Sequence, residues 1–187
     1  MREDEMIEYP ESIRENVLYD VAKKMVAAAV TAPKASGKDK VVAAIVWGDE
    51  KDAVAEKMKL LCKEYDEPFI GRDAACLDSC TYAVLIGVRS APFGLDNCSM
   101  CGFKTCGEMR KSGAGCALNI TDLGIAIGSA VSIAADNRID NRVMYSVGKA
   151  VSQMEIFPKD VRVCYGIPLS ISSKSPFFDR GAGAVLL

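Results

Sequence analysis

Four cysteines fall within nineteen residues, Cys98, Cys101, Cys106 and Cys116, with two, four and nine residues between successive thiols. Thiolate sulfur donates strongly and polarises easily, so it takes soft or borderline metals. Four such donors in one glycine-bearing loop can close around a single centre without help from the rest of the chain. The sequence contains no histidine, so a centre in this loop must be held by sulfur alone. Two chemistries meet that description: a [4Fe–4S] cluster and a four-cysteine zinc site.

The spacing favours the cluster. Four-cysteine zinc sites usually pair two C-x2-C knuckles, and here only Cys98 and Cys101 form one. A cluster presents several irons, each taking one thiolate, so short and unequal gaps suit it. Gly102, Gly107 and Gly115 stand beside ligands, where the backbone can turn sharply and bring N–H groups toward cluster sulfur. Such donors would raise the reduction potential by stabilising the added electron. The other cysteines read differently. Cys76 and Cys80 lie four apart and share a face if their segment is helical. They read as small buried hydrophobes, with a redox pair or alternative cluster ligand as the rival reading. Cys62 and Cys164 sit in apolar patterns and read as core.

The elements that must carry this loop follow from the apolar pattern. Apolar residues at three- and four-residue steps predict a helix from Glu11 to Thr31, with Ser12 and Glu15 as a capping box. Val41–Trp47 is a continuous apolar run between turn residues and predicts a buried strand. An amphipathic helix follows over Lys51–Tyr65, then a short helix over Arg72–Cys80. Tyr82–Val88 predicts a second strand, and residues 90–115 a loop. Thr121 or Asp122 is the expected cap of a helix running to Asp136. A polar break follows, then a helix from Asn141 to Met154. A third strand is expected over Arg162–Ile167, and the tail ends on apolar Val185–Leu187. Helices alternating with buried strands make the class α+β, α/β-like.

Bulk properties set the limits. Residues 1–187 read as a single domain, with 90–117 as a Cys-rich insert. The chain is 50% hydrophobic, so it can bury a sizeable core. A formal charge of −2 and 7% aromatics give no footprint for nucleic acid. The apolar stretch Leu123–Ala135 is too short to span a bilayer, and the acidic start has no apolar leader. The expectation is a cytoplasmic protein whose eight cysteines are ligands or thiols rather than disulfides.

Three further features carry weaker signals. Gly124, Gly128 and Ser132 recur at four-residue steps, a stripe for close packing or a subunit contact. Asp136–Arg142 concentrates carboxylates, amides and guanidiniums. It reads as capping and connection, with an anion site at Arg138 or Arg142 as the rival. Lys34–Lys38 is either a phosphate contact or an ordinary basic turn. Without histidine the usual nucleophilic triads are excluded.

The run from Cys98 to Cys116, followed by Leu123–Ala130 and Asp140–Gly148, resembles an uncharacterised prokaryotic family whose members contain a ferredoxin domain. The resemblance implies that Cys98, Cys101, Cys106 and Cys116 ligate one [4Fe–4S] cluster. It also implies an electron-transfer role with a redox partner protein of unspecified identity. The stretch Ala28–Ser36 before a buried strand, the small-residue helix and the late strand at Cys164–Pro168 resemble flavin-dependent nitroreductases. That likeness implies a nitroreductase-like sheet flanked by helices, a homodimer, and FMN at the subunit interface. The opening Arg-Ser-x-Arg segment that contacts flavin phosphate in that family is absent, and only Arg14 stands there.

Overall fold

Each of the three long predicted strands forms, and they pair antiparallel. The computed structural model describes residues 7–178. Its elements run α1 (Pro10–Thr31), β1 (Val41–Trp47), α2 (Gly48–Tyr65), α3 (Pro68–Asp78), β2 (Tyr82–Arg89), α4 (Cys106–Ser112), α5 (Ala117–Asp136), β3 (Asp140–Asn141), α6 (Tyr145–Val151) and β4 (Val161–Ser170). The sheet has the order β1-β2-β4-β3.

Period-two alternation assigns each strand residue to one of two cores. Val84, Ile86, Ile167 and Leu169 meet α1 and α5 through Leu18, Val21, Met25, Leu123 and Ala130. Ala83, Leu85 and Cys164 face the other way, against Val54, Met58 and Leu61 of α2, Ile70 and Leu77 of α3, and Val147 of α6. Because helices cover both faces, the strands read as unbroken apolar runs despite being antiparallel. A bulge between Val88 and Arg89 leaves Arg162 as the extra residue on β4.

Several boundaries differ from expectation, each for a local reason. The N-cap of α1 is Tyr9, followed by Pro10, and Ser12 Oγ donates to the Tyr9 carbonyl at 2.9 Å instead of forming a capping box. At the other end, Lys34 Nζ donates to the carbonyls of Ala29 (3.0 Å), Val30 (2.5 Å) and Ala32 (2.7 Å), closing the helix. Helix α2 begins at Gly48, and α3 begins at Pro68, earlier than Arg72. Helix α5 begins at Ala117 with Cys116 as N-cap, rather than at a Thr121 or Asp122 cap. Thr121 Oγ1 instead donates back to Ala117 at 3.0 Å, and the Asp122 carboxylate reaches across to another loop. The polar break contributes a fourth strand, β3, and Met144 exchanges both backbone bonds with Gly166, delaying α6 to Tyr145. Pro168 is tolerated within β4 because it lies between that bridge and the β3 ladder at Leu169 and Ser170. The apolar tail Val185–Leu187 lies outside the described residues.

Helix α5 is the one helix among the described residues long and apolar enough, by length and composition, to cross a membrane. Its buried face packs on α1 and the sheet instead. Gly124, Gly128 and Ser132 all lie on its exposed face.

Helix α6 approaches β4 so closely that only glycine fits. A Cβ on Gly148 would stand 1.6 Å from the Cys164 carbonyl oxygen, and one on Gly166 would stand 2.1 Å from Val147. Gly148→Ala is therefore expected to destabilise the fold by about 3 kcal/mol, measured as a lower urea midpoint by circular dichroism.

Candidate metal centre

The chain leaves the sheet at Arg89 and does not rejoin regular structure until Cys106. Buried backbone polar groups at such an exit need partners. Asn119 of α5 supplies them: its Nδ2 donates to the Arg89 carbonyl at 3.0 Å and the Ala91 carbonyl at 2.9 Å. Lys40, at the foot of β1, adds a bond from Nζ to the same Ala91 carbonyl at 2.6 Å. Arg89 is held outside by both oxygens of Asp160, at 2.8 and 2.9 Å. On the far side, both oxygens of buried Asp122 accept from the Ala35 N–H, at 3.0 and 3.2 Å. The α1–β1 connection is thus pinned beside the cysteines.

Within the loop the turns need left-handed backbone. Gly94, Asn97, Ser99 and Gly102 all have positive φ, and Gly102 N–H closes a turn on the Ser99 carbonyl that takes in Cys101. Helix α4 forms inside the segment predicted as loop. Thr105 caps it by accepting from Glu108 N–H at 3.1 Å, while the Glu108 carboxylate accepts from Lys104 N–H at 3.2 Å. Thr105 and Glu108 at three-residue spacing are a capping signal that is visible in the sequence. Gly113, at φ 77°, ends the helix. Met109, buried beneath it, packs with Phe93 and Cys116 into a small third core.

This arrangement brings together all four predicted site residues. Cys98, Cys101, Cys106 and Cys116 line one small pocket of about 20 Å³, walled by Phe93, Met109 and Leu118. Cys116 is buried and the other three are half-buried. Among the described residues, no three cysteine, aspartate or glutamate side chains converge closely enough to hold a single metal ion.

The other cysteines do not join them. Cys76, Cys80 and Cys164 belong to the core under α2, α3 and α6. Burial pushes the Cys80 thiol up to about 11 and the Cys164 thiol up to about 12, so neither is a ready thiolate at neutral pH. Cys62 packs between α2 and α3, its sulfur 3.0 Å from where a Gly71 Cβ would lie.

The basic candidates also resolve. Arg142 faces buried Asp73, Nη1 to Oδ1 at 3.6 Å, while Arg72 pairs with the same oxygen at 3.0 Å and Ser146 donates to Oδ2 at 2.7 Å. That guanidinium serves an internal carboxylate. Arg138 is exposed at the turn after α5 with φ 60°. Lys34 caps α1, as above, and does not reach outward. Lys40 and Asn119 are supporting residues that the sequence pattern did not single out, and Asp122, expected as a helix cap, is a third. Asn119 sits at a helix position that looks ordinary until the loop is folded over it.

The fold resembles that of nitroreductases. A nitroreductase with bound FMN from Desulfitobacterium hafniense DCB-2 superposes with a TM-score of 0.54 at 14% identity, over 92% of this chain and 82% of that one. A nitroreductase family protein from Clostridium novyi NT gives 0.54 at 15% identity, over 81% and 73%. Likeness at this identity concerns the fold alone. An uncharacterized protein of Archaeoglobus fulgidus is 38% identical over 164 residues, covering 83% of this chain and 88% of its own. Residues 112–180 match the family model described as uncharacterized proteins containing a ferredoxin domain, and the chain belongs to that family. The matched span takes in Cys116 and runs through β4.

The raised thiols have a pH consequence. In the unfolded chain Cys80 and Cys164 ionise near their ordinary value, about 8.5, while the folded chain keeps both protons to about 11 and 12. Their contribution is fully present below the unfolded value. It is lost as pH rises, because the unfolded state then binds fewer protons. Stability should fall progressively above about pH 8.5, and Cys164→Val should flatten that slope in urea titrations at successive pH values.

Proposed function

We propose that this protein is an iron–sulfur electron-transfer protein in which Cys98, Cys101, Cys106 and Cys116 hold one [4Fe–4S] cluster. The observation that carries the reading is that all four thiols line one pocket. The donor set fits: sulfur only, on a tightly turned loop, with no competing carboxylate lining the space. The description of the family as containing a ferredoxin domain supports the same chemistry. When bound, the cluster supplies reversible one-electron chemistry.

The chain's own residues hold, shield and tune. The turn closed by Gly102 N–H on the Ser99 carbonyl carries Cys101 and directly follows Cys98. Phe93, Met109 and Leu118 exclude water from one side, lowering the local dielectric and sharpening every charge interaction there. The opposite side is open, and Met100 between the first two cysteines is 61% exposed. An electron partner would approach there, and no proton need move. Residues 90–117 act in this reading as a ferredoxin-like lobe of a single-domain chain.

The reading extends to assembly and setting. The exposed face of α5 carries Thr121, Gly124, Ile125, Gly128 and Ser132, a flat and largely apolar strip suited to a second copy. We take the protein as a homodimer across this strip, in a cytoplasm where thiols stay reduced. A flavin-dependent reductase with an accessory cluster is the second reading, supported by the FMN-bound neighbour. The start of α1 does not fit a flavin phosphate, since Glu8, Glu11 and Glu15 flank the lone Arg14 on an exposed surface.

Anaerobic reconstitution should yield about four irons and four sulfides per chain, with broad visible absorption that dithionite bleaches. Serine at Cys98, Cys101, Cys106 or Cys116 should abolish most of it, and Cys76→Ser or Cys80→Ser should not. A colourless protein with one zinc would replace the cluster by a structural staple. A yellow fluorescent supernatant on denaturation would establish the flavin. In light scattering the native protein should run at twice the chain mass, and Gly128→Gln should shift it toward monomer.

A further inference from the structure

Lys40 occupies an unusual place for a lysine. It ends the connection pinned by Asp122, and its backbone carbonyl accepts from Arg89 N–H at 3.0 Å, so its stem starts from the rigid edge of the sheet. Its ammonium is fixed twice more. Nζ donates to the Ala91 carbonyl at 2.6 Å and stands 4.2 Å from the centroid of the Phe93 ring. Phe93 is buried and forms one wall of the cysteine cavity. Burial lowers the pKa of the Lys40 ammonium, with Cys116, Asp122 and Cys106 in its surroundings acting against that and Lys38 acting with it. A held, partly desolvated cation thus stands behind the aromatic wall of the site. Lys38, also near Phe93 at 6.0 Å, is exposed and screened by solvent. Lys104 lines the cavity mouth but is likewise exposed.

We infer that Lys40 is the positioning residue that sets the reduction potential of the cysteine-bound centre, an inference that rests on the cluster reading above. Reduction adds one negative charge to the cavity. A positive charge that cannot swing away stabilises the reduced state more than the oxidised one. Buried Asp122 works against it, but its carboxylate is engaged by the Ala35 N–H. A unit charge at about 10 Å, in an effective dielectric near 20, alters an equilibrium on the order of tenfold. That is large enough to measure.

The test is an EPR-monitored redox titration of reconstituted full-length protein, with iron and sulfide assayed on each sample. Lys40→Gln and Lys40→Met should titrate at a more negative midpoint, with the equilibrium constant for accepting an electron reduced on the order of tenfold. Methionine keeps the stem against Phe93, so its shift reports charge rather than packing. Lys40→Arg should restore the native midpoint, and Lys38→Gln should shift it less than Lys40→Gln. Native midpoints in both neutral variants, at native iron content, would overturn the inference while leaving the cluster intact. Iron lost from both neutral variants but kept in Lys40→Arg would also overturn it, assigning the charge to assembly instead. A wild-type protein that retains no iron would overturn the cluster reading itself.

Discussion

The side chain of Asn119 joins the scaffold to the cysteine loop. It is 1% exposed, in the first turn of the apolar helix α5, and it spends both amide hydrogens on the carbonyls of Arg89 and Ala91. A chain leaving the centre of a covered sheet cannot leave those carbonyls bare, because an unmet buried acceptor costs about as much as a lost hydrogen bond. The helix that follows the cysteines therefore ties down the segment that precedes them. Cys116 caps that same helix, so the last thiol and the loop entry are fixed by one rigid element.

The two faces of the sheet divide the work. On one side α2, α3 and α6 make a dense core in which close backbone approach replaces side-chain bulk, as Gly148 and Gly166 show. Buried Asp73 there accepts from Ser146 and Arg72. Burial on that side keeps Cys80 and Cys164 as neutral thiols. On the other side α1 and α5 cross the sheet, and the connections at their ends meet the cysteine loop. The metal-binding candidates are thus gathered at one end of one layer, where backbone is irregular and charges are available.

Position separates the two groups of cysteines. Desolvation raises Cys80 and Cys164, offset in part for Cys80 by Ser79 and Lys51. The difference lies in what stands within a few ångströms, not in the sequence neighbourhood of each thiol.

The sequence by itself determined the three long strands, the long helices and the four-thiol set, because apolar periodicity and ligand spacing are local patterns. It also separated Cys62 and Cys164 from the loop. It could not place the ends of α3, α5 and α6, since these depend on partners distant in the chain: Asp122 is drawn off to Ala35, and Met144 bridges to Gly166. The two-residue β3 was invisible because its only support is a register against β4. The α4 cap at Thr105 and Glu108 was legible but hidden among glycines and cysteines. Only the tertiary structure decided that Lys40 and Asn119 serve the loop. Each is an ordinary polar residue in sequence, and each acquires its role when residues 51 and 28–30 positions away fold against it, through contacts that no local pattern records.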